Sequence, residues 1–248
     1  MTGINRRVLT IVAAVAVVVL LAAGVMFSER GDDEGSSGAA SSSQSSGEAG
    51  QSTQEQGLSK EEVGLVRRDA KEVTARGDVD APVVLIEYSD YRCPFCGAFA
   101  RDTMPELKEE YIDSGKLRVE WRDFPVFGEE SVKGAMAARA AGEQDKYWEY
   151  HDAMYEDAPD RGHLKITDEK IMDWAEEVGV PDMEQFQKDL DDPELRKKIE
   201  ADAQEARSQV GATGTPTFVI GDERIVGAQP TESFKNMIDE ELASVEGE

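Results

Sequence analysis

The 248-residue chain predicts an α/β domain carrying a helical insertion, set behind one N-terminal transmembrane helix and a disordered linker. Three patterns carry that prediction. Strand-like runs at 83–88 and 117–124 flank an amphipathic helical stretch at 95–112. Residues 129–210 read almost entirely as helix. Residues 217–226 then return to a strand pattern before a last helix, so strands and helices alternate around a central block of helices.

At the N-terminal end, residues 8–27 are apolar but for Thr10 and Gly24. As a helix such a run rises ~30 Å, the thickness of a hydrocarbon core. Arg6 and Arg7 precede it, and Glu29, Arg30, Asp32, Asp33 and Glu34 follow. The positive-inside bias leaves residues 1–7 in the cytoplasm and sends the bulk of the chain outward. The reading is an uncleaved signal anchor: a single-pass protein of the cell membrane with an extracytoplasmic domain. A cleaved signal peptide is the alternative, although its apolar region is normally ~7–15 residues. Residues 28–58 are mostly Ser, Gly, Gln, Ala and Glu, too poor in apolar surface to offset the entropy of ordering. A flexible coil of roughly 28 residues reaches ~30 Å, which suits a tether for a domain spanning 59–248.

The chain has 27 Lys and Arg against 52 Asp and Glu, a net charge of −25. The imbalance lies in the folded part, where residues 61–248 hold 23 basic and 46 acidic side chains. Such a surface repels nucleic acid and anionic headgroups and favours solubility. No nucleic-acid partner is expected, and the domain is expected to be a monomer.

Taken in order, Ser59-Lys60-Glu61-Glu62 has capping-box spacing for a short helix, and residues 77–82 are turn-like. Val83-Val84-Leu85-Ile86-Glu87-Tyr88 reads as a strand buried on both faces. Glu87 is out of place in it, since a charged carboxylate there costs on the order of several kcal/mol to desolvate. Cys96, Phe99, Ala100, Met104, Leu107 and Tyr111 recur at helical spacing, with Pro105 expected to kink the helix and Gly115 to end it. Val119 and Trp121 mark the second strand, and strand–helix–strand predicts a parallel, right-handed crossover. The block at 129–210 carries four apolar stripes. They are Tyr147, Trp148, His151, Met154 and Tyr155; Ile171, Trp174 and Val178; Met183, Phe186 and Leu190; and Leu195, Ile199, Ala203, Ala206 and Val210. Gly221-Asp222 is a hairpin turn between 217–220 and 224–226. The final helix is predicted at 230–244, with Pro230 near its first position.

The two cysteines of the chain, Cys93 and Cys96, stand at the junction of the first strand and the first helix. A C-x-x-C pair at such a junction reads as a redox dithiol. Pro94 suits the first position of a helix, which puts Cys93 at the N-cap, where free N–H groups and the macrodipole stabilise an anion. Arg92 adds a neighbouring positive charge. These features favour a thiolate at Cys93, with a pKa in the ~3.5–7.5 range. Cys96 lies one turn in, on the apolar face, and reads as the buried resolving thiol. A purely structural disulfide would close too small a loop to staple the fold. Zinc is the other competitor, but His151 and His163 lie outside the usual H-x3-5-H spacing, so no metal and no cofactor are expected.

Glu87 admits two readings, a surface acid at a strand edge or a buried carboxyl beneath Cys96 that exchanges the resolving thiol's proton. Gly214-Thr215-Pro216-Thr217 also admits two: an edge or turn proline, or a cis X-Pro bond presenting backbone groups to an extended substrate.

Together, Asp80-Ala81-Pro82 through Cys96, Arg122-Asp123-Phe124-Pro125, Gly142-Glu143-Gln144, Trp148-Glu149-Tyr150-His151 and the stretch 211–220 resemble the DsbA-like branch of the thioredoxin superfamily. The resemblance is greatest to the membrane-anchored disulfide oxidoreductases of Gram-positive bacteria, and it covers residues 60–245. It implies a thioredoxin-like fold with a helical insertion at about 129–210. It also implies Cys93 as nucleophile, Cys96 as resolving thiol, Glu87 as the buried acid, and Thr215 and Pro216 as the substrate-facing cis-proline loop. Arg92, Pro94 and Phe95 are read as supporting residues from their own positions beside the thiols.

The activity so implied is an extracytoplasmic thiol oxidase that introduces disulfides into unfolded secreted or membrane proteins and is reoxidised by a quinone-linked membrane thiol oxidase. Phe95 departs from the pattern, because the strongest oxidases of the family carry a histidine there. An isomerase or reductase of the same fold is the alternative, and a chaperone-like peptide-binding module is a third.

Overall fold

A computed structural model of the protein describes residues 62–246. The predicted membrane span at 8–27, the linker at 28–58 and the capping-box start at Ser59 lie outside the described residues. Within them, Glu62–Leu65 forms one 3₁₀ turn, and no helix is long and apolar enough to cross a membrane.

Five strands form one sheet in the order β1 (Ala75–Arg76), β3 (Leu117–Asp123), β2 (Val83–Ser89), β4 (Thr217–Ile220) and β5 (Glu223–Val226). β2 and β3 pair in parallel and the other neighbours are antiparallel. The predicted crossover and hairpin are therefore present. β1, only two residues long, has no periodicity to read and is a strand only through its pairing with Val119 and Glu120. Every residue of β2 and β3 is buried, as expected for strands covered on both faces.

The helix after the cysteines continues through Pro105 by widening instead of breaking. It runs as α1 (Pro94–Ala98), a π turn (Phe99–Thr103), α2 (Met104–Leu107) and a second π turn (Lys108–Ile112). Pro105 has no N–H and its ring crowds the preceding turn; a wide turn just upstream, with Met104 N–H reaching back to Phe99 O, gives it room.

Between β3 and β4 come α3 (Glu129–Gly142), α4 (Tyr147–Glu156), α5 (Asp168–Glu177), α6 (Met183–Asp189) and α7 (Pro193–Ser208). Thr167, Asp182 and Asp192 cap α5, α6 and α7 by accepting backbone N–H groups at 3.2, 2.9 and 2.7 Å. The last helix, α8 (Thr231–Glu246), begins just after Pro230.

Alternation along β2 decides what each face meets. Val83 and Leu85 join Phe99, Leu107, Phe218, Phe234 and Ile238 under the first helix and α8. Val84, Ile86 and Tyr88 join Ala203 and Ala206 of α7, and Val210 just past its end, on the opposite face. The helical block has its own core, which reaches Tyr91, Cys93, Cys96 and Trp121. It is tied to the sheet by buried charges: Arg139 of α3 donates to Asp123 of β3 at 2.5 Å and to Asp202 of α7 at 2.6 Å.

Candidate active site

The site is built where β2 ends and α1 begins. Asp90, buried just past the strand, accepts backbone N–H bonds from Arg92 at 2.8 Å, Val126 at 2.6 Å and Phe127 at 3.2 Å. Its own carbonyl accepts from Cys93 N–H at 3.0 Å and from the Tyr155 hydroxyl at 3.2 Å. One side chain and one carbonyl thus fix the approach to the first cysteine.

Cys93 is the N-cap of α1, in extended conformation with φ −77° and ψ 121°, and Pro94 holds the first helical position. Its thiol donates to Thr215 O at 3.3 Å, and the Thr215–Pro216 peptide is cis. The two sequence-predicted elements, 122 residues apart, therefore meet at the sulfur. The Cys93 pKa falls from 9.0 to about 6. The hydrogen bond from the Cys96 thiol is the leading cause, and the N–H groups of Cys96 and Phe95 add to it against an opposing effect of burial. Cys96 is fully buried. Burial, and then its hydrogen bond to Cys93 and the charge there, push its thiol well above the ordinary range. The reactive and resolving thiols are thus separated by environment, and both are free in this structure.

Glu87 is buried, 1 % exposed, and Ser89 Oγ–H donates to its Oε1 at 2.7 Å. Desolvation raises its pKa to about 7, partly offset by the Ser89 hydrogen bond and the charge of Arg76. Glu87 is therefore a buried carboxyl poised near neutrality, not an edge-of-strand surface acid.

Arg92 does not play the part its position predicts. Its guanidinium turns to the carbonyls of Leu164 at 2.9 Å and Phe127 at 2.6 Å and lies 3.6 Å from Glu130. It braces two loops beside the motif and is not among the leading causes that hold Cys93 down. Phe95 is 64 % exposed and brings no charge. His151 is buried against Tyr91, Trp121 and Tyr155 and bonds Asp152 at 2.7 Å. His163 meets Arg92 O at 3.1 Å.

Sequence reasoning missed Ser89, Asp90 and Tyr155. A signal existed for Ser89, which stands two residues after Glu87 and so shares its face of the strand.

Comparison with known proteins agrees with this fold. The family model described as Thioredoxin matches residues 69–240. The Bacillus anthracis protein named "Probable disulfide bond formation protein D" is 34% identical over 170 residues, covering 67% of this chain and 76% of its own. Among solved structures, oxidised BdbD from Bacillus subtilis aligns with a TM-score of 0.64 at 25% identity, over 71% of this chain and 95% of that one. The α-DsbA1 of Wolbachia pipientis aligns at 0.61 and 26%, over 69% and 92%.

Proposed function

The chain belongs to the thioredoxin family and is a thiol–disulfide oxidoreductase, and we propose that it works in the oxidising direction, through Cys93 and Cys96, on unfolded secreted or membrane proteins. The direction rests on the N-cap position of Cys93, whose pKa is held down to about 6 by the Cys96 thiol and the start of α1. Whatever stabilises the thiolate stabilises the dithiol over the disulfide, which makes the disulfide form an oxidant.

The cycle follows from the two environments. A substrate thiolate attacks Cys93 Sγ of the oxidised protein; the Cys93–Cys96 bond breaks and Cys96 departs with the electron pair and takes up a proton. A second substrate thiolate then attacks the substrate sulfur of the mixed disulfide, and Cys93 leaves as its stable thiolate. Substrate has lost two electrons and gained a disulfide, and the protein holds them as its dithiol. The Thr215 carbonyl lies against the sulfur, with Pro216 next in the chain, where an extended substrate segment would pair, and Phe95 offers it an exposed apolar contact.

The dithiol must then pass two electrons to a quinone-linked thiol oxidase of the membrane. The apolar run at 8–27 and the tether at 28–58 would hold the domain on the outer side of that membrane. The test is a stoichiometric reaction of the oxidised protein with a reduced, unfolded two-cysteine protein. Disulfide should appear in the substrate at the rate the protein's own is consumed, and not at all with Cys93→Ala. An oxidised protein that stays oxidised in the presence of that substrate would sink the reading.

A further inference from the structure

The resolving thiol has to lose a proton before it attacks and regain one after it leaves, yet Cys96 is fully buried under the first helix. Glu87 is the buried acid nearest to hand in the strand, and one side chain touches both groups. Ser89, itself 1 % exposed, donates through Oγ to Glu87 Oε1 at 2.7 Å and is, after Cys93, the second side-chain hydrogen-bond partner of Cys96. The contact is a consequence of register. Glu87 and Ser89 point to the same face of β2 as Leu85, the face that the first helix covers with Phe99.

We propose that the Ser89 hydroxyl is the proton relay between Cys96 and Glu87, carrying a proton one way when the disulfide forms and the other way when it opens. In the mixed disulfide, where Cys93 is bonded to substrate and no longer takes the Cys96 proton, the chain of donors runs from Cys96 S–H to Ser89 Oγ and from Ser89 O–H to the Glu87 carboxylate. As Cys96 attacks the Cys93 sulfur of a mixed disulfide, its proton passes to Ser89 Oγ while the Ser89 proton passes to Glu87. The Cys96–Cys93 bond forms, the Cys93–substrate bond breaks, and the substrate sulfur leaves with the electron pair. When Cys96 departs as thiolate the hydroxyl turns about, donating to sulfur and accepting from the Glu87 carboxylic acid. A hydroxyl suits the task because it donates and accepts at once, and its proton lowers the pKa of whichever neighbour is the anion.

The other groups facing Glu87 do not make this bridge. Arg76 of β1 acts on it through charge. Tyr91 and Tyr155 sense its charge, but their hydroxyls are engaged with Tyr147 and with Asp90 O. Its strand neighbours Trp121 and Phe218 contribute rings.

This inference rests on the dithiol chemistry proposed above, and its test separates the two. The reduced protein is mixed with excess dithiobis(nitrobenzoate). A first release of chromophore reports attack by Cys93, and a second reports attack by Cys96. Ser89→Ala should leave the first phase intact and slow the second at least tenfold, with the inflection near pH 7 lost. Ser89→Thr, which keeps the hydroxyl, should restore the second phase to within threefold. In a Glu87→Gln background Ser89→Ala should cost little more, since the two act in series. On the unaltered protein, the second phase measured across mixtures of light and heavy water should bow, as two protons in flight require. A second phase within twofold of the unaltered protein in Ser89→Ala, or a linear dependence on deuterium fraction, would overturn the relay while the first phase still upheld Cys93 as nucleophile. Loss of the first phase would instead count against the dithiol reading itself.

Discussion

Cys93 Sγ stands 3.3 Å from the carbonyl oxygen of Thr215, so the reactive sulfur and the loop that would present a substrate are in direct contact across the sheet end. Cys93 also caps α1, with Cys96 as its donor from one turn further in. The chemistry of the site follows from what that sulfur touches.

The Cys93 thiolate should titrate with a midpoint near pH 6, read by thiolate absorbance against Cys93→Ala. Because the Cys96 hydrogen bond leads the causes, Cys96→Ala should move the midpoint up toward 9.0 and Cys96→Ser, which keeps a donor, should move it less. The folded value is depressed, so its contribution to the stability of the reduced form is complete above pH 9.0 and is lost as pH falls through about 6. The oxidised form lacks it. The melting temperature of the reduced form relative to the oxidised should therefore climb from pH 5 to pH 8.

Glu87 acts with the opposite sign. Its folded pKa of about 7 lies above the ordinary 4.5, so the folded state binds the proton more tightly and stability falls as pH rises through that window. Glu87→Gln should stabilise the protein at pH 8 by on the order of 3 kcal/mol and be near neutral at pH 4. Denaturant unfolding at the two pH values measures it; an equal effect at both would contradict the assignment.

Arg92→Ala should separate bracing from electrostatics. It removes donors to Leu164 O and Phe127 O, at a cost of roughly 1–3 kcal/mol. The Cys93 midpoint should not move. An upward move would restore the guanidinium to the thiolate.

Arg139→Met should destabilise the domain by about 3–5 kcal/mol, since it leaves Asp123 and Asp202 buried without their shared cation. Adding Asp123→Asn should recover part of the loss. Chemical denaturation of the single and double variants measures both.

Much of this site is legible in the sequence because its determinants are local. The aliphatic run with Glu87 near its end, Pro94 after Cys93, and Cys96 in line with Phe99 each follow from spacing over a few residues. What stayed hidden is non-local. Asp90 is an ordinary acid until Val126 and Phe127 bring their N–H groups to it. Arg92 neighbours Cys93 in the chain, yet carbonyls from two distant loops capture its guanidinium. β1 exists only because β3 offers it an edge. The π turns record a compromise around Pro105 that periodicity alone reads as a kink.

The direct test of the oxidising direction is the equilibrium of the Cys93–Cys96 pair with glutathione. The reduction potential should lie between ~−270 and ~−120 mV, nearer the second, because the thiolate is stabilised while Phe95 supplies no cation. A potential at or below about −270 mV would make the disulfide the stable form and the protein a reductase, contradicting it.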